Sequence, residues 1–140
     1  MGACVSDIMK RKVVTIAAGE RLSTVEDIMT LGGVRHIPVV RGGDLVGIVT
    51  ERDLLRTSLS NLNEYGADTR RAFLGGVEIA RVMSAPPITI LDSAPVEEAA
   101  REMAVRKIGC LPVVDGSDQF VGLITETDLL RYFAGLPPTA

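Results

Sequence analysis

Two short stretches set a hydroxyl three residues ahead of a carboxylate where a helical pattern begins: Thr50 with Asp53, and Thr125 with Asp128. At that spacing the groups share one turn. They can cap the helix, or they can offer acceptors to the hydroxyls of a ligand whose anionic part lies at the helix N-terminus. Capping is the plainer role, and the two uses need the same corner. Arg35-His36 adds a forked cation and a titratable imidazole ahead of Pro38, where the second stretch has Gly109-Cys110 ahead of Pro112. His36 is the single histidine, and Cys4 and Cys110 stand far apart. Nucleophilic or zinc chemistry therefore has no constellation to use, and Cys110, within an apolar run, reads as a small buried hydrophobe.

Both corners belong to a duplication. Residues 46–56, VGIVTERDLLR, return as VGLITETDLLR at 121–131. Upstream the correspondence runs at an offset of 74, pairing Met9 with Met83, Met29 with Met103 and Pro38-Val39-Val40 with Pro112-Val113-Val114. One extra residue within Asp115-Gly116-Ser117-Asp118-Gln119 moves the offset to 75, as an insertion in a tight turn allows. The paired methionines read as core. Two such units imply pseudo-symmetric halves.

The elements that must position the corners follow from periodicity. Each copy opens with an amphipathic turn, Val5 to Met9 or Ile79 to Met83. β-rich runs follow at Val13 to Ile16 and Ile88 to Leu91, then helical patterns at Leu22 to Leu31 and Val96 to Val105. Ser23 or Thr24 is the expected cap of the first of these helices, Pro95 suits the first turn of the second, and Gly32-Gly33 stops the first. Hairpins are expected from His36 to Val40 with Asp44 to Val49, and from Cys110 to Val114 with Phe120 to Ile124. The last helix of each copy starts at the Thr-x-x-Asp corner. Each repeat thus reads β-α-β-β-α, with repeat 1 over 1–60, an ordered helical linker over 61–76 and repeat 2 over 77–140. Leu59, Leu62, Tyr65, Phe73 and Leu74 give the linker region its apolar residues.

The chain has 140 residues, a net charge of -3 and no tryptophan, so a tightly packed core of Val, Ile, Leu, Met and Ala is expected, with no room for a catalytic domain beside the repeats. Its acidic balance and few aromatics disfavour nucleic acid as a partner. No leader or membrane-length apolar stretch is present, which leads us to expect a cytoplasmic protein with no membrane partner.

Two β-α-β-β-α units, each with a hydrophobic-Pro-Val-Val strand and a Gly-x-x-Thr-x-x-Asp element before its last helix, resemble a tandem cystathionine β-synthase (CBS) domain pair, or Bateman module. The resemblance spans nearly the whole chain. It implies an α/β (α+β) fold of two pseudo-symmetric repeats packed through their sheets, non-catalytic regulation, and binding of AMP, ADP, ATP or S-adenosylmethionine, with magnesium accompanying ATP. It further implies composite sites. One combines Thr50, Arg52 and Asp53 with Pro87, Ile88, Ile108 and Gly109. The other combines Thr125, Thr127 and Asp128 with Val13, Val14, Val34, Arg35 and His36, and Arg35-His36 would bias this second site towards phosphorylated ligands. The aspartates would grip ribose hydroxyls. No catalytic or metal-binding residue is expected. A homodimer and an unidentified regulated protein are the implied macromolecular partners, with Leu54-Leu55 and Leu129-Leu130 contributing apolar surface. The rival expectation is an interaction module of the same fold whose pockets are degenerate.

Overall fold

Short, largely apolar strands in each repeat build one three-stranded sheet, and the two sheets share a plan. The computed structural model describes residues 2–62 and 67–139. In chain order its elements are α1 (Val5–Ile8), β1 (Ile16–Ala17), α2 (Leu22–Gly32), β2 (His36–Arg41), β3 (Asp44–Thr50), α3 (Glu51–Leu62), α4 (Ala67–Gly75), a 3-10 turn (Ile79–Arg81), β4 (Ile90–Leu91), α5 (Val96–Arg106), β5 (Cys110–Val114), β6 (Phe120–Thr125) and α6 (Glu126–Phe133). The sheet orders are β1-β2-β3 and β4-β5-β6, each with a parallel first pair and an antiparallel hairpin. Both hairpins shift register at the same place, Val39/Val40 and Val113/Val114.

The duplication also fixes the turns. Gly42 and Gly43, both at positive φ, close the first hairpin in two residues. In the second, the Asp115 carboxylate accepts the N–H groups of Ser117 and Gln119, and the added residue is absorbed there. Gly33 ends α2 in the left-handed conformation without a Cβ penalty. Lys107 ends α5 the same way at φ 57, a position that costs a non-glycine residue about 1–2 kcal/mol.

Three local expectations are corrected. The first strand of each repeat spans two residues, because only Ile16-Ala17 and Ile90-Leu91 lie alongside the hairpin strand; Val13, Val14 and Ile88 precede it. Helix α2 is capped by neither Ser23 nor Thr24. Its N-cap is Arg21, fixed by an isolated bridge to Glu78, while the Leu22 N–H donates to Val77 O at 3.0 Å. Pro95 is the N-cap of α5 rather than a residue of its first turn.

The compact units are cut differently from the sequence repeats. One is the continuous stretch Val14–Pro87; the other joins the residues through Val13 to those from Ile88 onward. The opening turn of each repeat has therefore exchanged places. Val5 N–H donates to Ala94 O at 2.8 Å and Val96 N–H to Ala3 O at 3.1 Å, so α1 packs beside α5. Reciprocally, Ile79 N–H donates to Glu20 O at 2.9 Å. Val5 and Ile79 are fully buried in their respective cores. Helix α4, in the expected linker region, lies wholly in the continuous unit and buries Leu74. Leu59, Leu62 and Tyr65 lie outside the residues whose side chains are described.

Candidate functional site

Each Thr-x-x-Asp corner is a capping box built to the same drawing. In α3 the Thr50 N–H and hydroxyl donate to Asp53 Oδ2 at 2.9 and 3.1 Å, and the Asp53 N–H returns a bond to Thr50 Oγ1 at 3.3 Å. In α6 the same three bonds join Thr125 and Asp128 at 2.8, 3.0 and 3.3 Å. Both aspartates are buried. The capping expectation is thereby met, and one oxygen of each carboxylate is committed to it.

The strand before the proline adjoins its own corner. His36 is in register with Thr50, and Cys110 with Thr125. Arg35 O accepts the first helical N–H, from Glu51, at 2.9 Å; Gly109 O accepts that of Glu126 at 3.0 Å. Arg35-His36 thus stands beside Thr50 and Asp53, with Arg35 exposed and His36 half-buried. Of the expected site residues, Val14, Val34, Arg35, His36, Thr50, Arg52, Asp53 and Pro87 lie in the continuous unit, and Val13, Ile88, Ile108, Gly109, Thr125, Thr127 and Asp128 in the other. Arg52 and Thr127 are exposed on their first helical turns.

A glycine in each β-strand explains how a further segment reaches the corner. A Cβ on Gly47 would lie 2.7 Å from Met83 Sδ and 2.9 Å from Ser84 O. A Cβ on Gly122 would meet Lys10 O at 2.6 Å and Met9 Sδ at 2.8 Å. Only glycine permits that approach. It leaves room for the bridges Ile48↔Ser84 and Lys10↔Leu123, which lay a segment along each corner strand.

Here the corners part company. Lys10 Nζ lies 2.6 Å from Asp128 Oδ1 and 3.3 Å from Thr125 Oγ1, so it fills the carboxylate oxygen that the cap leaves over. The Lys10 side chain is 27% exposed and that of Asp128 1%. At the other corner the equivalent of Lys10 is Ser84. Among the described residues, the cation paired with Asp53 Oδ1 is Arg56, at 4.0 Å and 73% exposed, too distant for a hydrogen bond. Sequence reasoning passed over Lys10. Its only sequence signal was the unlike pair Lys10 and Ser84, each following a repeat methionine.

Around the second corner, a cavity of about 50 Å³ is lined by Ile8, Asp128, Arg131, Tyr132, Leu136 and Pro138, room for a water molecule rather than a nucleotide. A groove of about 490 Å³ on the same unit runs along Ile88, Leu91, Glu98, Glu102 and Arg106. The buried Cys110 thiol is pushed up to about 12 by burial, with the Glu126 charge adding to it, which suits an inert core thiol. Among the described residues, no group of three or more His, Cys, Asp or Glu is placed to hold a metal ion, and no helix is long and apolar enough to cross a membrane.

A CBS domain sequence profile matches residues 5–60 and 79–135. A CBS domain-containing protein of Dictyostelium discoideum is 35% identical over 93% of this chain and 90% of its own length. An uncharacterised protein of Methanocaldococcus jannaschii is also 35% identical over 93% of this chain, which spans about half, 47%, of that relative. Among solved structures, the CBS domain pair of protein MJ0100 in complex with 5′-methylthioadenosine and S-adenosylmethionine superposes with a TM-score of 0.80 at 27% identity, covering 96% of this chain and 98% of that one.

Proposed function

Because this chain belongs to the CBS domain family, we propose that it is a regulatory, non-catalytic module that binds an adenosine-containing ligand: AMP, ADP, ATP or S-adenosylmethionine. The observation that carries this reading is the buried aspartate of each corner. One oxygen is locked into the cap, and at Asp53 no described residue is shown placing a cation within hydrogen-bond distance of the other. A fixed carboxylate with an acceptor to spare suits the paired hydroxyls of ribose. The helix N-terminus beside it suits an anionic group, and Arg35 supplies a fork for phosphate on the same unit. That the similar MJ0100 domain pair holds two adenosyl compounds supports this ligand class.

The same geometry bears on where a phosphorylated ligand would be preferred. Arg35 and His36 adjoin the Thr50–Asp53 corner within their own unit, which supports a phosphate bias at that corner beside the one expected at Asp128. Ligand binding would regulate by favouring one of two conformations or assemblies, which demands different affinities for the two.

The second reading is an interaction module. It is favoured by Leu55, Leu130 and Phe133, which stand 52%, 68% and 69% exposed on α3 and α6. Each leaves a large apolar surface for a second copy or a regulated protein to cover. Leu54 and Leu129, by contrast, are buried in the cores.

A thermal-shift panel on nucleotide-stripped protein separates the two readings. The ligands are adenosine, AMP, ADP, ATP, S-adenosylmethionine and GTP, with and without magnesium. A ligand at 100 times its Kd adds about 2.7 kcal/mol, a shift of roughly 5–11 °C for a chain of this size. Selective shifts with adenine ligands are the expected result. A flat panel on folded protein would defeat the sensor reading and leave the interaction module.

A further inference from the structure

We infer that Lys10 makes the two ribose clamps unequal: its ammonium occupies the Asp128 carboxylate, so the ligand is taken at Asp53 while the Asp128 clamp is held shut by the chain itself. The inference rests on the ligand class proposed above and adds to it an order of occupancy and the residue that sets it.

Asp128 has two oxygens and both are filled. Oδ2 takes the Thr125 N–H and hydroxyl, and Oδ1 takes Lys10 Nζ at 2.6 Å. Thr125 Oγ1 is equally engaged, accepting from Asp128 N–H and from Lys10 while donating to Oδ2. A pair of ribose hydroxyls would have to displace an ammonium ion from a carboxylate that is 1% exposed. It would exchange a charge-assisted bond for neutral ones, and charge-assisted bonds are roughly twice as strong.

Asp53 differs in this one respect. Its Oδ2 is capped identically, but the neighbouring segment presents Ser84 where the other presents Lys10. Arg56, at 4.0 Å and 73% exposed, can swing into solvent. The backbone around both positions is the same, each forming its bridge beside a glycine that admits it. The inequality therefore resides in a side chain, and a substitution can remove it without touching the fold.

The experiment is calorimetric titration of AMP, ATP and S-adenosylmethionine, each into wild type, Lys10→Ser, Asp53→Ala and the double variant Lys10→Ser/Asp53→Ala. Lys10→Ser gives position 10 the residue that position 84 already carries in the same bridge. Lys10→Gln, which keeps side-chain length without the charge, serves as a second version. For at least one probe, wild type is expected to bind one equivalent, lost in Asp53→Ala. Lys10→Ser is expected to bind two, its second site tightened about tenfold or more, the scale of one charge-assisted hydrogen bond. The double variant is expected to keep one. Two equal sites in wild type, or a Lys10→Ser and Lys10→Gln that gain no site or bind more weakly, would overturn the inference and leave the functional reading standing. No binding of any probe to any variant would overturn the functional reading and the inference together.

Discussion

The corners around Asp53 and Asp128 share their capping boxes, their register and their glycine-admitted neighbour segment, yet one carboxylate is finished and the other is not. At Asp128 a lysine completes the coordination, and the chain after α6 folds back so that Arg131 donates to Pro137 O at 3.1 and 2.9 Å. At Asp53 the cation shown among the described residues stands 4.0 Å from the outer oxygen, and the next described element after α3 is α4. A duplicated scaffold can thus keep its backbone chemistry in both copies while letting one side chain decide which copy is open. The difference teaches that identical motifs do not guarantee identical sites.

The comparison can be broken most forcefully at the carboxylates. Asp128→Ala removes a cap and leaves an ammonium that is 73% enclosed without its partner, so it should cost about 3 kcal/mol. Asp53→Ala removes a cap alone and should cost about 1 kcal/mol. Chemical denaturation of the two variants measures the difference. Equal losses would mean that the Lys10 ion pair adds nothing to the second corner.

The glycines give the next largest effect. Gly47→Ala and Gly122→Ala each force a methyl against a backbone oxygen, at 2.9 and 2.6 Å respectively, and should cost about 1–3 kcal/mol, more at Gly122. Melting curves would show it, and a neutral Gly122→Ala would remove the reason given for glycine there.

The smallest effect sharpens what belongs to one unit only. Arg70 and Arg71 of α4 bond Glu26 of α2, and Arg71 also reaches Asp27 at 2.8 Å, an arrangement that the other unit does not repeat among the described residues. Burial works to raise the Glu26 carboxyl, but hydrogen bonds from Arg70 and then Arg71 outweigh it and hold the carboxyl below its ordinary value of 4.5. A depressed carboxyl contributes stability in full above its unfolded value and loses it as pH falls through the lower folded one. Glu26→Gln should therefore lower Tm by about a degree or two at pH 7, since partly solvated pairs are worth little, and by progressively less as pH falls below 4.5. Scanning calorimetry across that range tests the sign.

What the sequence disclosed, and what it hid, follows the reach of each interaction. Capping boxes were legible because Thr and Asp stand three residues apart on one turn, and the hairpins because Gly42-Gly43 and the Asp115 loop announce themselves locally. Arg21 as a cap was not legible, since Glu78 and Val77, far along the chain, determine where α2 starts. Lys10 was not legible as a partner of Asp128, which stands 118 residues away. Nor could the repeats reveal that their opening turns change places, because either packing buries the same apolar residues.

That exchange also sets a timetable. The unit Val14–Pro87 is unbroken, so every contact it makes is available soon after its last residue is synthesised, and it can settle while the rest of the chain is still being made. The other unit draws on residues made before Val14 and on residues made after Pro87. Until α5 emerges α1 lacks the segment it packs beside, and until α6 emerges Lys10 lacks Asp128. At a synthesis rate of about 5–20 residues per second, the early half waits several seconds for the late one. The guarded corner thus comes into being after the open one.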